Sequence, residues 1–249
     1  MSDLYVVSTG RNASKFVLKC IQSVKDQTLQ PKSHIIIDDI SDDDTRLYLE
    51  RIKNIDENIE VIFNTERKYR LKNIYENSVN KNPDDIICIV DSDDWLACDD
   101  ALEKIKKTYD ENPKYEYVYS RLVLSHGPPG GSRPIPNKDW NPYDNQWITS
   151  HISTFRAKAL QRIPVSNFLD WNGDWFQIAT DHACILPMLY NLWRRDGDYS
   201  AVGFIDEALY VYQFLENENK SRFDTEGQER ARFSIQCANF IKQRKYLEE

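Results

Sequence analysis

Residues 85–95 read Asp85-Ile86-Ile87-Cys88-Ile89-Val90-Asp91-Ser92-Asp93-Asp94-Trp95. A short, continuous apolar run bounded by carboxylates is the pattern of a strand buried in a sheet. The run stops at Asp91, so Asp91 and Asp93 stand two residues apart at a strand end, where backbone and side chains can both face a ligand. Hard oxygen donors in such a place suit Mg²⁺ or Mn²⁺ bridging phosphate oxygens. A helix N-cap would also account for an aspartate here. Asp99 and Asp100 already open the next helix, whose Leu102, Ile105 and Tyr109 share a face, so residues 91–94 are left for another purpose.

Upstream of this run, strand and helix patterns alternate. Residues 4–8 are apolar and end at Thr9-Gly10, after which Phe16, Cys20, Ile21 and Val24 fall on one helical face. Residues 34–37 form a second run ending in Asp38-Asp39, followed by a helix carrying Leu47, Leu49, Ile52 and Ile55. Residues 59–63 predict a third strand and residues 69–79 a third helix. Strands joined through helices imply right-handed crossovers and a mainly parallel sheet, hence an α/β fold. Ligands of such sheets sit beyond the carboxyl ends of the strands. Thr9-Gly10-Arg11, Asp38-Asp39 and Asp91-Ser92-Asp93 would converge on that one edge.

Downstream, the alternation is lost after a strand at 115–120. Gly127-Pro128-Pro129-Gly130-Gly131, Pro134 and Pro136 mark a loop too rich in breakers for helix or central strand, of a length often met in lids. Aromatics cluster at Trp140, Tyr143, Trp147, Trp171, Trp175 and Phe176. The pattern then predicts a helix over 176–193, a strand pair over 201–214, and a last amphipathic helix through Phe233, Cys237, Phe240 and Ile241. With no internal repeat and no clean linker, residues 1–249 read as a single domain.

Composition narrows the function. The 249 residues hold 32 Lys plus Arg against 40 Asp plus Glu, a formal charge of −8. Binders of the phosphate backbone attract it with a basic face, so this balance argues against nucleic acid as a partner. Eight Gly and ten Pro exclude collagen-like and low-complexity classes, and 12% aromatics argue against disorder. The five cysteines are odd in number, without a CxxC or a zinc-spaced pair, which fits a reduced, cytoplasmic interior. No apolar run approaches the roughly 18 residues of a membrane span, and the first residues carry no signal pattern.

Two other chemistries lose support on single residues. Aspartate-nucleophile phosphatases need Thr or Val two positions after the second aspartate, where Trp95 stands here. A dinucleotide loop needs several glycines, and residues 9–14 contain one.

Several features recur in a set order: Thr9 with Asn12 after the first strand; Ser23-Val24-Lys25-Asp26-Gln27-Thr28; Ile35-Ile36-Ile37-Asp38-Asp39-Ile40-Ser41-Asp42-Asp43-Asp44-Thr45; Asn64; Lys72-Asn73; and Asp91-Ser92-Asp93-Asp94. In this order and spacing the chain resembles the GT-A fold glycosyltransferases, specifically inverting family 2, closely over residues 4–102 and more loosely to about residue 221. The resemblance implies a GT-A, Rossmann-like sheet flanked by helices. Residues 1–110 would form the nucleotide-sugar-binding half, and residues 111–249 an irregular acceptor-binding half with the C-terminal helix.

The resemblance also implies roles. Thr9, Gly10 and Arg11 would lie beside the nucleotide base, and Asp39 would accept a hydrogen bond from it, suiting the N3–H of uracil. Lys72, where the family usually has Arg, would contact the nucleotide or its phosphates. Asp91, with Ser92 beside it, would meet the ribose. Asp93 would bind the metal, Mn²⁺ or Mg²⁺, with Asp91 as a second candidate ligand. Asp43 and Asp44 have no such role and read as a solvated helix start. The family's base comes from a second-half helix, often as a Glu-Asp pair. Thr180-Asp181-His182 is similar with Thr in place of Glu, and Asp181 stands among Phe176, Ile178, Ala183 and Ile185, as a tuned base would. His182 either orients the acceptor or is a satisfied core histidine. His151 and Arg156 stand where acceptor or donor phosphate is contacted, and Trp175 would stack on a pyranose face. Some members carry a metal-ligating His in a Tyr-Arg-x-His segment; Tyr212-Gln213-Phe214-Leu215 lacks it here.

The implied activity is metal-dependent transfer of a sugar, with inversion, from a nucleoside diphosphate sugar such as a UDP-sugar to a hydroxyl of a glycan, lipid-linked or protein acceptor. A catalytically inactive sugar-nucleotide or glycan-binding module is the alternative that the Thr180 and Leu215 departures favour. A nucleotidyltransferase would show a Gly-rich loop and a signature Lys after the first strand, and neither is present.

Overall fold

The computed structural model describes residues 2–127, 130–214 and 225–248. β1 (Leu4–Gly10), β2 (Ser33–Asp38), β3 (Ile59–Phe63) and β4 (Ile86–Ile89) pair in parallel, with β1 between β2 and β4. They are connected through α1 (Val17–Lys25), α2 (Thr45–Lys53) and α3 (Tyr69–Ser78). Every residue of β4 is buried, as a strand covered on both faces requires. The sheet is thus mainly parallel where the alternating patterns predict it.

The chain continues through β5 (Trp95–Leu96), α4 (Ala101–Glu111), β6 (Tyr117–Leu124), β7 (Ser153–Arg156), α5 (Ala157–Gln161), a 3₁₀ turn (Val165–Phe168), α6 (Thr180–Asp196), β8 (Val202–Tyr212) and α7 (Thr225–Arg244). All eight strands form one sheet in the order β3-β2-β1-β4-β7-β6-β8-β5. β7 lies antiparallel to both β4 and β6, while β8 is parallel to β6. Nothing in the apolar pattern marks β7, because Ser153 and Thr154 are buried by satisfying hydroxyls rather than by hydrophobicity. Thr154 Oγ1 donates to the Val118 carbonyl, and the Ser153 hydroxyl pairs with that of Tyr117.

Three expectations change. The strand pair over 201–214 is one strand, β8, whose ladder with β6 slips at Ser120–Leu122 and so absorbs the bend. The helix over 176–193 begins only at Thr180, because Ala179 at φ 55° breaks the turn, and Gly197 at φ 74° ends it. Asp99 and Asp100 do not cap α4: the Leu102 N–H is taken by Gln27 Oε1 at 2.9 Å, and Asp100 pairs with Lys104. Gln27 also donates to the carbonyls of Ser23 and Cys98, and Ser23 Oγ accepts from the Leu96 N–H. The Ser23–Thr28 motif is therefore a clamp that fixes residues 95–102 behind the strand-end carboxylates.

The loop 125–152 has no helix or strand among its described residues, and Pro128 and Pro129 lie outside them. It is tied down by aromatics: Trp140 packs on Tyr199, Tyr143 on Tyr190, and Trp147 stacks on His182. Among the described residues no helix is long and apolar enough to cross a membrane.

Candidate active site

The carboxyl ends of β1, β2 and β4 open into a cleft of about 480 Å³ lined by Thr9, Gly10, Arg11, Asn12, Asp39, Arg67, Tyr69, Arg70, Asp91, Asp93, Gln177 and Arg230. The floor is built by a buried chain of amides. Asn73 donates to Thr9 Oγ1 at 3.0 Å, and Asn64 donates to both Asn73 Oδ1 and Asp39 Oδ1 at 2.8 Å. Three motif residues from α3, β1 and the segment after β3 thus fix Asp39. Its carboxylate also receives the N–H groups of Lys68 and Tyr69 and the Arg67 guanidinium at 3.0 Å. Burial pushes against the charge, but these donors hold its carboxyl below the usual range. Four donors meet two oxygens, so a base N–H reaches Asp39 only by displacing one of them, and Arg67, the side chain bordering the cleft, is the movable one.

Arg11 and Asn12 are held from the other side. Arg11 pairs with Asp42 at 2.8 Å and donates to the Ile40 carbonyl, while Asn12 exchanges hydrogen bonds with Asp42. Asp43 departs from the expected solvated helix start: its oxygens accept from the Ser14 and Thr45 N–H groups, joining the loop after β1 to the loop after β2. Burial opposes this, yet the bonds from Ser14 and Thr45 lower its carboxyl to about 2.

Gly10 is required where β1 meets the carboxylate loop, since a Cβ there would lie 2.7 Å from Ser92 Cβ. Ser92 is buried beneath the cleft, with Asp91 and Asp93 on the lining. Asp94 points the other way. It is buried, accepts from Tyr210 Oη at 2.5 Å and the Gln213 N–H at 2.6 Å, and so anchors the end of β8. Burial, then Asp93 and Asp91, push its carboxyl well above the ordinary range.

Gln177, three residues before α6, also lines the cleft. Asp181 lies in the first turn of α6 and faces Arg70 of α3, whose Nη1 donates to Asp181 at 2.8 Å while its Nε donates to Asp91 at 2.7 Å. Burial would raise the Asp181 carboxyl; Arg70, then His151 and His182, bring it below the ordinary value. His151 Nε2 lies 3.8 Å from Asp181, and its ring stacks on Tyr210 at 4.9 Å. Its buried Nδ1 has no hydrogen-bond partner among the described residues.

Thr9, Gly10, Arg11, Asp39, Asp91 and Asp93 are therefore brought together, with Ser92 buried beside them, Asp181 joined to the cleft through Arg70, and His151 next to Asp181. Four others are not. Lys72 is absent from the lining and its ammonium is 3.9 Å from Glu76. Arg156 lies across from Ile86 at the far end of the sheet, bound to carbonyls of Tyr115, Asp84 and Tyr109. Trp175 packs between Phe168 and Tyr75, and His182 stacks under Trp147, where burial lowers its imidazole. Leu215 lies outside the described residues. Sequence reasoning missed Arg67, Arg70 and Arg230. Helical spacing carried the signal for Arg70: it precedes Asn73 by three and shares its inward face, whereas Lys72 is rotated by about 100°.

Among the described residues no three His, Cys, Asp or Glu side chains gather to hold a metal ion by themselves. Asp93 on the cleft surface and Asp91 offer hard oxygen donors, a set that fits Mg²⁺ or Mn²⁺ when diphosphate oxygens and water complete the shell.

A family model described as "Glycosyl transferase family 2" matches residues 5–162. No curated protein sequence matches. Among solved structures, S. aureus TarS 1–349 in complex with UDP-GlcNAc is similar at TM-score 0.60 and 16% identity, over 87% of this chain and 59% of that one. The mannosyltransferase PcManGT from Pyrobaculum calidifontis, in complex with GDP-Man and Mn²⁺, is similar at TM-score 0.59 and 14% identity, over 96% of this chain and 69% of that one. At these identities the likeness is one of fold. The chain spans about three fifths of TarS 1–349.

Proposed function

The chain belongs to glycosyl transferase family 2, and we propose that it moves a sugar from a nucleoside diphosphate sugar to an acceptor hydroxyl with inversion at the anomeric carbon. The observation that carries this reading is the strand-end pair Asp91 and Asp93 on the cleft lining, with Arg70 bridging Asp91 to Asp181. Residues 1–110 form the donor half and 111–249 the acceptor half of one domain. Solved structures of this fold with UDP-GlcNAc and with GDP-Man support a nucleotide-sugar donor.

In this mechanism the nucleoside lies against Thr9, Gly10, Arg11 and Asp39, with its ribose at Asp91. The sugar projects from the diphosphate toward α6. The acceptor oxygen attacks the anomeric carbon from the Asp181 side, the bond to the diphosphate breaks with its electron pair leaving on the phosphate oxygen, and Asp181 takes the hydroxyl proton. His151, its ring stacked on Tyr210, stands 3.8 Å from the Asp181 carboxylate on the acceptor side. Asp93 and Asp91 would hold Mn²⁺ or Mg²⁺, which supplies neutralisation of the leaving diphosphate. The five cysteines are free thiols, four of them buried, which suits a reducing cytoplasmic setting.

Calorimetric titration with UDP, GDP, CDP and dTDP, with and without Mn²⁺, on the wild type and Asp93→Ala tests the donor site. One nucleotide should bind with a metal dependence that Asp93→Ala removes. No binding of any nucleotide under any condition would end the reading.

A further inference from the structure

Arg70 hydrogen-bonds carboxylates on both sides of the proposed reaction. Its Nε bonds Asp91 at the donor side, and its Nη1 bonds Asp181 at 2.8 Å with Thr180 Oγ1 at 3.3 Å on the acceptor side. The side chain is only 20% exposed, and what is exposed borders the cleft. Nη2 makes no hydrogen bond among the described residues.

On the sugar-transfer reading above, this placement is obstructive. The anomeric carbon must lie between the leaving diphosphate and the base, and a guanidinium now occupies that gap. A carboxylate holding an arginine at 2.8 Å also has one oxygen committed as an acceptor, so it is a poor receiver for an acceptor's proton. Of the other cations on the lining, Arg11 is engaged with Asp42 and Arg67 with Asp39, while Arg230 reaches the cleft from α7. Of these cations, Arg70 is the one whose hydrogen bonds join the strand-end carboxylate Asp91 to Asp181.

We propose that Arg70 is a diphosphate-binding residue held in reserve by Asp91 and Asp181, and that an incoming donor draws its guanidinium off Asp181, so that the base is released only once the donor is seated. Planar, bidentate recognition of phosphate oxygens is what a guanidinium does best, and the exchange replaces one carboxylate partner by another anion rather than leaving a buried charge alone. Two consequences follow. Diphosphate should contribute far more affinity than nucleoside, and the acceptor should enter after the donor.

The test compares UDP with uridine and GDP with guanosine, each with Mn²⁺, by calorimetry on the wild type, Arg70→Gln and Arg70→Lys. The wild type should favour the diphosphate of the better-bound base by about ten- to a hundredfold, the worth of a charge-assisted pair. Arg70→Gln should cut that preference to within about threefold while keeping nucleoside affinity. Arg70→Lys, which keeps the charge and guards against a misfolded Gln variant, should fall between. In the wild type the carboxyl ¹³C signal of Asp181 should move on adding the diphosphate and stay still on adding the nucleoside. An unchanged diphosphate preference in both variants, or an Asp181 signal that ignores the diphosphate, overturns this inference and leaves the donor site standing. Absence of all nucleotide binding to the wild type would instead remove the transferase reading itself.

Discussion

Two little-exposed arginines mark opposite ends of the molecule's central strands. Beyond the carboxyl end of β4, Arg70 is bonded to Asp91 and Asp181. At the start of β4, Arg156 is bonded to the carbonyls of Tyr115, Asp84 and Tyr109 and lies over the Tyr109 ring at 5.0 Å. The partners separate their roles. Carbonyl dipoles belong to the backbone and cannot leave, so Arg156 is a fastener of strand, loop and helix. Carboxylate partners at a cleft mouth can be exchanged for another anion, so Arg70 is a group that can work. Burial of an arginine alone does not distinguish the two; the chemistry of what receives its hydrogen bonds does.

The sharpest way to break the contrast is at the working end. Asp181→Asn should lower turnover by about 10²- to 10⁴-fold, the usual worth of a placed base, while nucleotide affinity by calorimetry stays within about threefold. Turnover within tenfold of wild type would place the base elsewhere. At the fastening end, Arg156→Met should cost about 2–4 kcal/mol in urea unfolding, because it removes three charge-assisted hydrogen bonds from a buried guanidinium, with the folded fraction binding nucleotide normally. A selective loss of nucleotide affinity would instead move Arg156 into the site.

Smaller changes refine the working end. Gly10→Ala drives a methyl against Ser92 and should cost about 1–3 kcal/mol in stability, together with weaker nucleotide binding through the displaced carboxylate loop. Lys72→Met should alter both by less than about 0.5 kcal/mol, since its ammonium faces Glu76. Asp43 offers a test by pH. Its folded carboxyl is held at about 2, against roughly 3.9 when unfolded, so its contribution to stability is present above the unfolded value and lost as pH falls toward 2. The gap in urea midpoint between wild type and Asp43→Asn should therefore shrink between pH 5 and pH 2.

The parallel half was legible because its signals are local. Apolar runs such as 86–90 end at carboxylates, and each helix repeats its apolar face. The second half was not. β7 is buried through hydroxyl pairing that no hydropathy pattern registers, and β8 reads as two strands because its slip against β6 interrupts the alternation. Within the cleft, residues contributed by strand ends were found from sequence because strand ends are marked. Arg67 and Arg70 were not: Arg67 lies before α3, where the chain turns at Tyr69 (φ 60°), and Arg70, although its spacing from Asn73 was readable, joins the site through Asp181, which is 111 residues away in sequence. The asparagines of the motif were legible as a pattern but not as a mechanism, since their purpose is the chain from Thr9 to Asp39.

The contact of Asp94 with Tyr210 and Gln213 carries a consequence for how such a protein can diversify. The loop that presents Asp91 and Asp93 is welded to the end of β8, and Tyr210 also receives the Asp91 N–H at 3.2 Å. A substitution in this part of β8 that suits a new acceptor disturbs the donor carboxylates at the same moment. Innovation in acceptor choice is therefore channelled away from this part of the sheet and into residues 140–147 of the loop, whose aromatics pack on Tyr199, Tyr190 and His182 rather than on the loop after β4.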